Sequence, residues 1–157
     1  MSRYTRLLGA ALAALTLGAC SNDSANPTPG AQISLLAMTV TPNPISTVQS
    51  SPSGPTWRVS YTVQLKESNG LGGKVELVSG SLYDDANGAL IARSQYDDRD
   101  LLVFVGANRV EANGSLDIRQ DLSYVAAEKK LTTVVVAVRF RDDRGNLLEP
   151  SLLVKAN

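Results

Sequence analysis

Trp57-Arg58-Val59-Ser60-Tyr61-Thr62-Val63-Gln64-Leu65 decides the fold class. Apolar and polar side chains alternate in it without exception. Successive side chains of an extended strand point to opposite sides, so a period of two predicts a strand with one face buried and one in water. Trp57 and Tyr61 share the apolar face with Val59 and Val63, which predicts core packing for both aromatics.

A second stretch, Thr132 to Arg141, places Val134, Val136, Val138 and Phe140 on one face. Its other face, Thr133, Val135, Ala137, Arg139 and Arg141, is only partly polar, as in a central strand of a sandwich. Weaker patterns predict strands at Ile33–Val40, Lys74–Tyr83, Ala89–Ser94, Leu101–Val105, Ser115–Leu122 and Leu147–Val154. The segments between them, Asn69–Gly73, Asp84–Gly88, Asn113-Gly114 and Asp142–Asn146, are rich in residues that tolerate positive φ and suit hairpin turns. Thr41 to Thr56 holds four prolines and reads as an extended loop. Ser123 to Lys130 reads as a single helical turn capped by Ser123. Short strands, frequent turns and almost no helix predict an all-β, antiparallel two-sheet sandwich, immunoglobulin-like, with seven or eight strands.

The chain opens with a basic stretch, Met1 to Arg6, followed by a mostly apolar run from Leu7 to Ala19. That run has about 13 residues, against the roughly 20 a helix needs to cross a bilayer, and fits the n- and h-regions of a signal peptide over residues 1–19. Ordinary signal peptidase takes small residues at −3 and −1, whereas Leu17-Gly18-Ala19-Cys20 has Leu at −3 and resembles the lipobox of bacterial lipoproteins. The competing readings are an ordinary signal peptide beside an accidental cysteine, or a buried structural thiol. The resemblance implies that Cys20 is acylated and becomes the N-terminus, anchoring the chain to a membrane. One acyl chain anchors marginally, and the several carried by a lipoprotein cysteine hold. Ser21, rather than an aspartate resembling an inner-membrane retention signal, follows it, which favours the outer membrane of a two-membrane cell. Ser21 to Ala31 is polar, small and proline-broken, and reads as a flexible tether. Its eleven residues span at most about 35–40 Å. The domain then occupies residues 32–157.

Within that domain, Gly80-Ser81-Leu82-Tyr83-Asp84 followed by Asn87-Gly88 resembles the Leu-Tyr-Asp signature of FxLYD-type domains of bacterial envelope proteins. Gly80 stands where the signature has phenylalanine. The resemblance implies an immunoglobulin-like sandwich and carries over no functional residue.

Composition narrows the chemistry. Histidine is absent, which removes the commonest general base and metal ligand and with them Ser-His-Asp, Cys-His and His-based zinc designs. Cys20 is the only cysteine, so the domain depends on its apolar core and not on disulfides. Without Arg3 and Arg6 the chain carries 13 basic and 15 acidic side chains, a net of about −2, which argues against nucleic acid as a partner. No cofactor motif is present. No lysine has a serine three residues before it or a tyrosine four before it, the spacings sought for a serine–lysine pair. Gly70-Leu71-Gly72-Gly73 resembles a phosphate loop only in glycine count and reads as a hairpin.

Three acidic clusters remain as candidate sites: Asp84-Asp85, Asp97-Asp98-Arg99-Asp100 and Asp142-Asp143. Turn formation and solubility account for them most simply; Asp97, Asp98 and Asp100 are calcium candidates, and a carboxylate pair for acid–base work is the third reading. In an antiparallel meander the Asp84 and Asp142 turns share one end if four strands separate them and lie at opposite ends if three do, as in a seven-strand layout. Tyr83, Tyr96 and Tyr124 stand near strand ends, as sugar platforms or as caps on the core. The expected function is a non-enzymatic binding or structural module, with the membrane reached through the lipid anchor and another envelope protein as partner. A calcium- or small-ligand-binding lipoprotein and a carboxylate-based enzyme are the alternatives.

Overall fold

The strict alternation of Trp57–Leu65 becomes the strand on which the first sheet is built. The computed structural model describes residues 32–50 and 54–157; the expected signal peptide, Cys20 and the tether lie outside the described residues. In chain order the elements are β1 (Leu36–Thr41), β2 (Thr47–Gln49), β3 (Thr56–Glu67), β4 (Gly73–Asp84), β5 (Leu90–Asp97), α1 (Asp98–Phe104), β6 (Arg109–Val110), β7 (Ser115–Val125), β8 (Thr132–Asp142), β9 (Leu147–Leu148) and β10 (Ser151–Ala156). β2, β6 and β9 have two or three residues each, which leaves seven long strands.

In the first sheet β3 lies between β7 on one side and β1 followed by β2 on the other. Val59 pairs with Leu122, Val63 with Ile118 and Leu65 with Leu116, so the inward faces of β3 and β7 form one apolar surface. The second sheet has the order β10-β8-β4-β5, with β6 and β9 continuing the pairing of β4 and β8. Every strand pair is antiparallel. The chain crosses between sheets from β3 to β4, returns to β7 and crosses again to β8, the connectivity of an immunoglobulin-like sandwich. Val134, Val136, Val138 and Phe140 face inward from β8, and Phe140 is fully buried. Each such aliphatic or aromatic side chain contributes about 1.5–3 kcal/mol on burial. Between β1 and β2 the peptides Thr41-Pro42 and Asn43-Pro44 are cis. Ile45 there is fully buried and exchanges backbone hydrogen bonds with Lys155 and Asn157, tying the loop to β10.

Several expected elements differ. Leu101–Val105, expected as a strand, belongs instead to α1 and its C-terminal end. Asp97 caps the helix, accepting from the Arg99 and Asp100 amides, while the Asp100 carboxylate accepts from the Asp97 amide. This reciprocal cap satisfies amides that a strand would have to pair elsewhere, and only Leu101 of the run is buried. Ser123–Lys130 forms no helical turn. β7 continues to Val125 because Tyr124 keeps the inward period and is buried, and the Lys130 amide donates to its hydroxyl. The last expected strand is divided at Glu149-Pro150, where proline has no amide to donate, into β9 and β10.

Candidate functional site

The strand register separates the acidic clusters. β4 pairs Gly73 with Asp142 at one end and Asp84 with Thr132 at the other, so the Asp142 and Asp84 turns lie at opposite ends of the sandwich. Asp98 pairs with Lys74 at 2.5 Å and therefore belongs to the Asp142 end. Gln32, the first described residue, is at that end too, bonding to Asn69 and Arg144.

At this chain-entry end the central group is Glu67, a residue the sequence reading did not single out. It is the last residue of β3 and is fully buried. Its carboxylate accepts from the amides of Asn69 at 2.7 Å, Asn113 at 2.8 Å and Leu35 at 3.4 Å, and from the Ser34 hydroxyl at 3.3 Å. Burial pushes its pKa up, but the amide donors of Asn113, Asn69, Leu71 and Leu35 outweigh that and hold it at about 2. Asp142 acts in the same way. It accepts from the Asn146, Arg144 and Ser34 amides, and these together with the Asn146 side chain overcome burial and hold its pKa below the usual value. Two ionised carboxylates thus join the entering segment to three loops through Ser34. The signal for Glu67 was in the sequence: it continues the inward series 57, 59, 61, 63 and 65 by one step.

The calcium candidates lie at the same end. Asp97 and Asp100 form the cap of α1, while the Lys74 ammonium holds Asp98 below the usual aspartate range. Asp143 is held low by Arg109, whose guanidinium bonds it at 2.8 and 2.5 Å. Among the described residues no group of three or more metal-ligating side chains converges.

At the far end the donors are lysines. Asp84 is buried, pairs with Lys130 and accepts from the Ala86 amide at 3.0 Å. Asp85 accepts from Lys155 at 2.8 Å and from the Thr133 hydroxyl at 2.6 Å. These partners, the lysine first in each case, hold both aspartates below their usual range. Around them two shallow depressions open. One, of about 390 Å³, is lined by Asp84, Asp85, Ala86, Lys130 and Leu131. The other, of about 410 Å³, lies between Tyr83, Asp85, Thr133, Val135 and Leu153.

Between the ends, Gly80 on β4 makes room for a polar contact through the core. The Tyr61 hydroxyl donates to Gln120 Oε1 at 3.0 Å and the Ser94 hydroxyl to the same atom at 2.7 Å. A Cβ at position 80 would overlap Tyr61 Oη, so the glycine in the Gly80–Asp84 stretch answers to Tyr61 opposite. Burial pushes the Tyr61 pKa upward, which keeps the hydroxyl protonated. Gln120 Nε2 has no acceptor among the described residues. Of the three tyrosines considered as platforms, Tyr124 is buried, and Tyr83 and Tyr96 are half-buried.

No family model matches the chain, and no curated protein matches it. Among solved structures, the structural-genomics target SoR45 superposes with a TM-score of 0.57 at 15% identity, over 77% of this chain and 85% of that one. A protein assigned as ApaA from Bordetella pertussis gives 0.55 at 16% identity, over 77% of this chain and 93% of its own. At such identities the likeness is one of fold alone.

Proposed function

We propose that the protein is a cell-envelope lipoprotein, held to a membrane through acylated Cys20, whose sandwich serves as a non-enzymatic module that presents its far end to another envelope protein. The observation that carries this reading is the placement of the chain entry. Gln32 sits at one end of the sandwich, which leaves the Asp84–Lys130 end as the one pointing away from an anchor. That end carries exposed Leu131 and Leu153 beside the two depressions. Of the carboxylates considered for acid–base work, Asp84 and Asp85 at one end and Asp98, Asp142 and Asp143 at the other are held ionised by partners. This favours structural roles over catalytic ones, since a general acid needs a raised pKa.

The test is site-specific photocrosslinking in intact cells, with a photoreactive residue at Leu131 and a control at Arg119, which is exposed in the middle of β7. A discrete protein adduct from position 131 and none from position 119 is the expected result. Lipid adducts alone, or the same adducts from both positions, overturn the reading of the far end as a binding face.

A further inference from the structure

We propose that the last turn of α1, Leu102-Val103-Phe104, seats in the headgroup layer of the membrane that holds the chain. This rests on the lipid anchor proposed above and adds a second, non-covalent contact to it. Three consecutive apolar side chains on a seven-residue helix are 53%, 76% and 67% exposed. Leu101 enters the core and the Phe104 ring rests against Tyr96 with centroids 5.6 Å apart, yet Leu102, Val103 and Phe104 all keep most of their surface exposed. Contiguous exposed apolar side chains of this kind mark protein or membrane contact sites.

Position selects the membrane. The start of the helix and the entering chain are joined at one end of the sandwich by short links. Arg144 bonds Gln32, its neighbour Asp143 bonds Arg109, and Asn108 beside that arginine donates to the Asp98 carbonyl at the start of α1. The entering segment is itself apolar and exposed at Ile33 and Leu35. Eleven residues between Cys20 and Gln32 keep this end within about 35–40 Å of the lipid. Strands of eleven or twelve residues carry the other end a further ~40 Å away. With Ile33 and Leu35, the α1 turn thus gives the tethered end exposed apolar surface, and a helical turn bearing Leu, Val and Phe suits the interface.

The experiment uses the full chain as cells process it, purified and reconstituted in phosphatidylethanolamine–phosphatidylglycerol vesicles. Mass spectrometry of the N-terminal peptide is read first. With Cys20 acylated, Val103→Cys supplies the single free thiol for a polarity-sensitive dye, and Leu153→Cys places the same dye at the opposite end; both positions are exposed, so neither disturbs the core. The expected result is a blue-shifted emission at position 103, quenched several-fold more by bromine-labelled lipid than at position 153. Equal, water-like emission at both positions in an acylated chain overturns the membrane contact and leaves the anchor standing. A chain without acyl groups overturns the anchor, and the contact falls with it.

Discussion

The two ends of the sandwich hold carboxylates by different means. At the chain-entry end Glu67 and Asp142 are ionised by backbone amides, which cannot move without moving their loops. At the far end Asp84 and Asp85 meet the ammonium groups of Lys130 and Lys155, flexible side chains that are 40% and 63% exposed. A buried carboxylate that loses its amide donors leaves several polar groups unpaired in a dry site, whereas a lysine partner that is partly in water exchanges more readily for water and salt. The first arrangement braces a loop cluster and the second trims a surface. This difference is why the far end suits reversible binding and the entry end does not.

Glu67→Gln breaks the stronger side of the comparison and has the largest expected effect. One of the carboxylate oxygens becomes an NH2 group directed at amide donors, and chemical denaturation should show a loss of about 2–3 kcal/mol. An unchanged midpoint would show that the amide cage does not stabilise the fold.

Acid sharpens the same comparison. The folded pKa of Glu67, about 2, lies below its ordinary value of 4.5, so its contribution is complete above pH 4.5, declines as pH falls between 4.5 and 2, and is lost below. The stability gap between wild type and Glu67→Gln should therefore narrow when denaturation is measured at pH 7, 4 and 2.5. A gap that stays constant across that range rules the cage out as its source.

The smallest effects belong to the far end. Lys130→Met should lower the melting temperature by about 2–4 °C, since Asp84 keeps its Ala86 donor, and Lys155→Ala should leave stability within about 0.5 kcal/mol of wild type. A loss from Lys155→Ala as large as that from Glu67→Gln would erase the distinction between the ends.

Most of the architecture was legible because period-two alternation is a direct imprint of burial. β3, β4, β7 and β8 begin and end within a few residues of the expected strands, and the Asn113-Gly114 and Asp142–Asn146 turns fall where positive φ is tolerated, with Asn113 at φ 56°. The helix α1 was not, because Leu101–Val105 is apolar throughout and has no period to read; the Asp97–Asp100 cap decided it locally. Glu67 and Gln120 were passed over as ordinary polar residues near strand ends or faces, although both continue an inward series. The entry-end site was illegible for a further reason: its donors come from residues 35, 69 and 113, brought together only by the closing of three loops.

The sequence by itself determined an all-β sandwich, the spacing of its turns and the absence of histidine chemistry, since alternation and composition act locally or on the whole chain at once. Only the tertiary structure decided that the acidic turns part to opposite ends, that Gly80 yields to Tyr61, and that α1 packs beside β5 with its apolar last turn exposed. Each of these depends on strand register and on which sheet a strand joins, and both are settled by packing between residues far apart in the chain.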